Sequence, residues 1–352
     1  MAENTYDDLK KTYQDFVVPA VKVLLKDKDL AGDLDARLQM VEVNLELQEE
    51  SRAQIVIWDC YDEESHTVIS KLKTALTPGS VVEVFFGYQS CLKKVFSGYL
   101  DSVRLCLDER DGYTICLEAF DVIHLMRKNR RSRIFQKDTH SAMFEELMGS
   151  YSWICKNESD TTDAIPDGEI RMQDDDDYRF VTTKLAGPEN PGMEFYVMAG
   201  TAYFKEKESG PTDVISLKPS QGVQAITASW GFLSQTLQMQ GCDGENTVYT
   251  ASEDAKADTL DTGVSKSVDF RYVPYLDSQK KVDAWAAAEG SSRKAGVKKA
   301  TLGVVGIPEL AAGKYMSLED FDSLVNGQYR ILRAAHIFDE TGYRTEAELG
   351  GT

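Results

Sequence analysis

The chain has 352 residues, of which 58 are acidic and 39 basic, for a formal charge of −19 and a pI near 4.7. That balance repels phosphate backbones and anionic lipid and argues against nucleic-acid or membrane-surface binding. With 42% hydrophobic and 28% charged residues the composition is that of a globular chain, with room for two or three packed units and no apolar run near the ~20 residues a spanning helix needs.

The first residues, MAENTYDDLKK, lack the basic start and apolar core of a secretion signal and imply synthesis in the cytoplasm. From Tyr6 to Lys28 an apolar stretch is broken by Pro19, which favours an extended arm or interface strand over one unbroken helix. Residues 1–36 are read as this N-terminal arm. From Met40 to Phe120 the hydrophobic period is two. VEVNLELQ (41–48) alternates strictly, and RAQIVIWDC (52–60), SVVEVFFGY (80–88), KVFSGYLDSVRLCL (94–107) and YTICLEAFD (113–121) follow, separated by turn signals at Pro78-Gly79 and at 108–112. Strands at this spacing predict a first antiparallel β-barrel over 37–134.

The pattern then changes to an α/β insert over 135–206. Met143, Phe144, Leu147 and Met148 recur at helical spacing and stop at Gly149. A second helix is expected from Asp177 to Ala186, with an aspartate run as cap and Gly187 as stop. MEFYVMAGTAYFKE (193–206) reads as a hairpin turning at Ala199-Gly200-Thr201. Residues 207–352 read as a second β-barrel, less legible from Gly241 to Lys266, with a helical excursion near 278–290 that stops at Gly290. The chain closes on the hairpin YRILRAAHIFD (329–339) and YRTEAEL (343–349).

No nucleophile elbow, zincin helix, Walker loop or dinucleotide-binding glycine motif is present, and GCDG (241–244) lacks a strand-to-helix context. His66, His124, His140 and His336 are scattered, and His336 reads as a satisfied core or interface histidine. Asp174 to Asp177 lack the order of a calcium loop and read as a helix cap with a solvated face. RKNRRSR (127–133) holds five basic residues in seven; it reads as a solvated loop, a patch docking on an acidic neighbour such as another copy of the chain, or a nucleic-acid contact. Cys60, Cys91, Cys106, Cys116, Cys155 and Cys242 form no metal motif. Most sit in apolar strand runs such as LCL (105–107) and ICL (115–117), as buried free thiols, and two of them could meet across neighbouring strands. No catalytic, cofactor-binding or metal residues are assigned, and no cofactor is expected. The alternative is a β-barrel carbohydrate-active enzyme or carbohydrate-binding module, since glycoside hydrolysis needs only two placed carboxylates.

LTPGSVVEVFFGYQSCLKKVFSGYLDSVR (76–104) with ICLEAFDVIHLMRKNRRSRIF (115–135), the element DDDDYRFVTTKLAGPENPGMEFYVMAGTAYFKE (174–206), and GIPELAAGKYMSLEDFDSLVNGQYRILRAAHIFDETGYRTEAEL (306–349) stand in a characteristic order. In that order they resemble the late-control D and tail-hub proteins of contractile phage tails, related to the base of type VI spike proteins. The resemblance implies a gp27-like fold of two related antiparallel β-barrels with an α/β insert, assembled as a homotrimeric ring of pseudo-sixfold symmetry. It implies a non-enzymatic baseplate hub that adapts a hexameric tail tube to a trimeric spike. The partners implied are other copies of the chain, a tube protein, a spike on a separate chain and baseplate wedge proteins, without specific nucleic-acid binding or membrane insertion, in a virion or phage-tail-like particle. No oligosaccharide-binding barrel or β-helix follows the last hairpin, so the spike tip is expected from another protein. Part of the acidic excess is expected to line the channel of such a ring.

Overall fold

The computed structural model describes residues 3–62, 64–108, 112–165, 170–187, 190–207, 211–256, 267–273 and 276–351. The protein is mainly β. The period-two segments form strands where the alternation places them. In Arg37–Glu46, Val41, Val43 and Leu45 point inward and Glu42, Asn44 and Glu46 outward. Arg52–Trp58, Val81–Tyr88, Cys91–Asp108 and Gly112–Phe120 follow. The turn expected at 108–112 falls largely outside the described residues.

Among the described residues these strands belong to one 13-stranded sheet. Its antiparallel path starts at Val223–Trp230 and runs through Lys298–Val305, Gly342–Gly351 and Gly327–Asp339 to Arg37–Glu46. It continues through Arg52–Trp58, Gly112–Phe120, Cys91–Asp108 and Val81–Tyr88 to Pro19–Leu25 and Lys28–Asp29. Asp213–Leu217 joins in parallel through Tyr315–Leu318, which pairs with Gly327–Asp339. The two β units are therefore joined by backbone pairing between strands almost a chain length apart, with His336 opposite Val43 and Phe338 opposite Val41. They also share one core, which draws on Leu9, Val23, Val43, Ile55, Phe86, Leu117, Leu217, Leu302, Ile331 and Leu349. Each such side chain contributes about 1.5–3 kcal/mol on burial.

The N-terminal segment combines a short helix with a paired strand. Thr5 caps the helix Tyr6–Thr12 by accepting from the Asp8 amide, Leu9 and Tyr13 are buried, and Pro19 opens a strand paired with Val81–Tyr88. Proline is tolerated there because its ring starts the strand instead of interrupting a helix.

The insert has its own core, rich in aromatic side chains from Phe135, Phe144, Phe180, Phe195 and Phe204. His140–Gly149 is helical, and the hairpin Met193–Met198/Thr201–Glu206 turns through Ala199 and Gly200 at positive φ. The expected helix at 177–186 is a single α turn, Asp177–Arg179, that widens into a π turn over Phe180–Leu185. Gly187 follows its end at Ala186, and a Cβ at Gly187 would lie 2.0 Å from the Thr183 carbonyl oxygen.

The helical excursion is larger than its hydrophobic stripe indicated. Ser234–Cys242, Val248–Lys256 and Ser267–Tyr272 form a separate three-stranded sheet, on which the helix Gln279–Ala295 packs through Val282 and Ala286. Gly290 does not stop this helix. It sits against Glu253 of the sheet, where a Cβ would lie 2.6 Å from Glu253 Cγ. The cysteines also depart from expectation: all six are free, but only Cys60 and Cys155 are buried, because the alternation in ICL turns Cys116 away from the face that buries Ile115 and Leu117.

Two glycines make the packing testable. A Cβ on Gly306 would lie 2.0 Å from the Tyr343 ring, whereas one on Gly149 meets nothing within 4 Å. Gly306→Ala should cost about 3 kcal/mol or more and Gly149→Ala should be neutral or stabilising by up to about 1 kcal/mol, as read from urea midpoints.

Candidate functional site

Two polar clusters hold the parts of the molecule together. The first lies where the N-terminal segment, the first β unit and the closing hairpin meet. His336 is fully buried, with Nδ1 2.8 Å from Tyr343 Oη and Nε2 2.8 Å from the Leu310 carbonyl. A carbonyl only accepts, so Nε2 carries the proton and donates, and neutral Nδ1 accepts from Tyr343. Thr345 accepts from the Ile307 amide at 3.0 Å, and Tyr88 donates to the Gly306 carbonyl at 3.0 Å. These bonds pin the loop 306–310 to both units. Phe86 stacks on Tyr343 at 5.0 Å, and Phe16 meets Tyr88 edge-on at 5.2 Å. Tyr13 donates to Glu309 at 2.8 Å and brings the first helix to the same joint. Burial lowers the His336 pKa to about 4 and raises the Tyr343 hydroxyl far above its usual range. This histidine is a neutral imidazole held through both ring nitrogens.

The second cluster refines two expectations. Arg130 and Arg133 of RKNRRSR face the aspartate run, while Lys128, Arg130, Arg131 and Asp174 stay exposed. Arg133–Phe135 pairs antiparallel with Arg171–Gln173, and the Asp177 amide donates to the Asn129 carbonyl at 3.1 Å. Asp177 is fully buried and accepts from Arg133 at 3.2 Å, Gln173 at 2.7 Å and Tyr151 at 2.5 Å. Arg130 reaches Asp175 at 3.8 Å, and Arg127 and Lys128 pair with Glu50 and Asp101 of the first unit at 2.6 and 3.1 Å. Asp176 does cap its turn, accepting from the Arg179 amide at 2.8 Å. Beside this cluster Asp121 caps Val122–Lys128 and accepts from the Ser51 and Ile123 amides at 2.9 Å each. Burial outweighs these donors and pushes its carboxyl up to about 7. Sequence reading missed the role of Asp121, Tyr151 and Gln173, none of which stands in a motif.

The other histidines occupy different places: His124 bonds Tyr99 at 2.8 Å, His140 starts a helix in the insert, and His66 is exposed in a turn. Among the described residues no group of His, Cys, Asp and Glu is placed to hold a metal, and no helix is long and apolar enough to cross a membrane. An open groove of about 300 Å³ lies on the outer face of the main sheet, with Ala225, Gly303 and Ala335 as floor and Arg333, Arg344, Glu346 and Glu348 as walls. Both of its arginines are paired: Arg333 with Glu348 at 2.9 Å and Arg344 with Asp339, outside the lining, at 2.8 Å. Such walls present a mixed polar surface, not a convergent catalytic centre. The apolar side chains left outside include Trp230 at the end of the edge strand of the main sheet and Phe232 just after it, Phe270 and Tyr272 on the small sheet, and the cross-strand pair Ile134 and Met172. They mark surfaces suited to protein contacts.

Removing the Asp177 carboxylate strands an arginine, a glutamine and a tyrosine donor, so Asp177→Ala should cost about 3–5 kcal/mol. A cycle with Arg133→Met should show coupling above about 1 kcal/mol, measured by denaturant unfolding. For His336 the folded pKa lies below the unfolded value near 6.5. Its neutral form contributes fully above that value, and the contribution is lost as pH falls toward 4. The penalty of His336→Gln should therefore shrink by about 2 kcal/mol between pH 7.5 and pH 5, measured from urea midpoints across pH.

Comparison of the whole structure finds tail proteins. A tail protein from Neisseria meningitidis MC58 superposes with a TM-score of 0.68 at 12% identity, covering 95% of this chain and 96% of that one. The 43 kDa tail protein of prophage MuSo2 from Shewanella oneidensis gives 0.68 at 13% identity, covering 94% and 98%. An Escherichia coli type VI secretion component, described as similar in structure to the T4 phage tail proteins gp27 and gp5, gives 0.57 at 11% identity, covering 94% and 77%. No curated protein sequence matches the chain. A family model described as the Alg8 N-terminal domain matches residues 17–205, more than half of the chain. With its gp27-like fold, the chain belongs to the Alg8 N-terminal domain family.

Proposed function

We propose that this chain is the structural baseplate hub of a contractile phage tail or phage-tail-like injection system, of the late-control D type, and that it has no enzymatic activity. In this reading it is a homotrimer whose two β units, 37–134 and 207–352, act as pseudo-equivalent barrels around a channel, with 135–206 as the insert between them. The ring adapts a hexameric tube to a threefold spike carried on a separate chain, and wedge proteins surround it. The chain is made in the bacterial cytoplasm and resides in the particle's baseplate. The observation that carries the reading is the breadth of the likeness: about 95% of this chain aligns with nearly the full length of two tail proteins. The two polar clusters support it, because their buried groups His336, Asp121 and Asp177 are spent on holding the units together.

A ring also needs surfaces that pair between copies. The edge strand Val223–Trp230 keeps one side of its backbone free of a strand partner among the described residues, and such an edge invites pairing with another chain. The purified chain, alone or with its spike protein, should give by light scattering the mass of three protomers and by negative stain a threefold ring with a central hole. A chain that stays monomeric at micromolar concentration with the spike present would overturn the proposal. Trp230→Lys should shift a trimer toward monomer while leaving the urea midpoint of the isolated chain nearly unchanged, because this side chain is half exposed.

A further inference from the structure

Residues 3–13 hydrogen-bond to the second β unit, while the strand they lead into, Pro19–Leu25, pairs within the first. The Glu3 and Asn4 amides donate to the Asp213 and Val214 carbonyls at 2.7 and 3.2 Å, alongside the strand Asp213–Leu217. Leu9 and Tyr13 are buried, and the Tyr13 hydroxyl donates to Glu309. The short stretch 14–18 ties this arm to its own strand.

That stretch is strained. Gln14, Asp15 and Phe16 stand in succession at φ of 50°, 59° and 59°, although left-handed backbone disfavours L-residues and is ordinarily visited one residue at a time. No glycine is present to relieve it. Val17 and Val18 follow, both exposed. Both are β-branched and Val18 precedes proline, which favours extended backbone. Phe16 holds the turn shut by packing edge-on against Tyr88 at 5.2 Å. Straightened, residues 14–18 span about 17 Å, enough to carry the arm across a boundary between packed copies.

We infer that the arm is exchanged between copies of this chain: residues 3–13 of one copy dock on the second β unit of the next, in the place that unit's own arm occupies in the single chain. Short hinge loops under strain invite such exchange. The hydrogen bonds of the arm are kept, made with the acceptor's copies of the same groups, and the left-handed turn is replaced by an extended link. Each copy gives one arm and takes one, so the exchange runs head to tail and can close into a ring. The inference rests on the hub reading for the number of copies and not for the exchange itself.

The test places p-benzoylphenylalanine at Tyr6, whose hydroxyl lies beside Gly222, in the full chain. Monomer and oligomer are separated by size exclusion and irradiated. On denaturing electrophoresis the oligomer should give bands of two or more chains, linked in mass spectrometry through the peptide that holds Gly222, and the monomer a band of one chain. Two further variants need no label and are read by light scattering across concentration. Gln14→Gly relieves the turn of the closed form and should raise the dissociation constant of the oligomer about tenfold. Asp15→Pro cannot adopt a positive φ and should lower that constant. An oligomer whose links stay within single chains overturns the inference and leaves the hub reading standing. A dissociation constant that both variants leave unchanged, or a chain that is monomeric at every concentration even with Asp15→Pro, also overturns it. An exchanged oligomer of a size other than three supports the inference and overturns the hub reading alone.

Discussion

A strand inside a sheet has two rows of backbone groups to satisfy, and Arg37–Glu46 finds its two partners at opposite ends of the chain. One row pairs with Arg52–Trp58, a few residues away, and the other with Gly327–Asp339. Everything else is arranged around that second pairing. It brings His336 into the core opposite Val43 and sets the loop 306–310 against the aromatic cluster of the first unit. The same pairing merges two runs of strands into one sheet over one core. Once the backbone is joined there, the buried imidazole needs its two hydrogen bonds, because an unsatisfied polar group in that position would cost as much as several good contacts supply.

The acidic and basic runs obey a different economy. Against a net charge of −19, RKNRRSR pairs within the chain through Arg127, Lys128, Arg130 and Arg133. Exposed pairs such as Arg130 with Asp175 contribute little, since solvent screens them. Asp177 is different because it is fully buried and three side chains donate to it. It defines how the insert seats on the first unit, as much by specificity of geometry as by energy.

Much of the architecture was legible because half-buried strands write their pattern at short range. Val41, Val43 and Leu45 alternate whatever the strand pairs with, and the turn at Ala199-Gly200 needs the positive φ that its residue types permit. Four features were not legible, each for a physical reason. Gly290 was read as a helix stop because glycine usually marks one, yet here it allows a helix to approach Glu253 closely. The aspartate run was read by its composition, and no local pattern reveals that Asp177 faces an arginine 44 residues earlier. The pairing of Gly327–Asp339 with Arg37–Glu46 depends on the whole intervening chain, which neither periodicity nor the expectation of two barrels revealed. The same holds for Asp121, whose carboxyl answers the Ser51 amide across 70 positions.

The long-range pairing also sets a clock on synthesis. Ribosomes add roughly 5–20 residues each second, so the open side of Arg37–Glu46 waits for some 15–60 s, by order of magnitude, before its last partner is made. During that interval the nascent first unit shows an unpaired row of amides and carbonyls beside the apolar face of Val41, Val43 and Leu45, a surface that recruits other chains as readily as its own. The outward face of the waiting strand carries Glu42 and Glu46, and like charge on two nascent copies keeps them apart. The acidic character that first looked like a statement about partners thus also protects the chain while it is still being made.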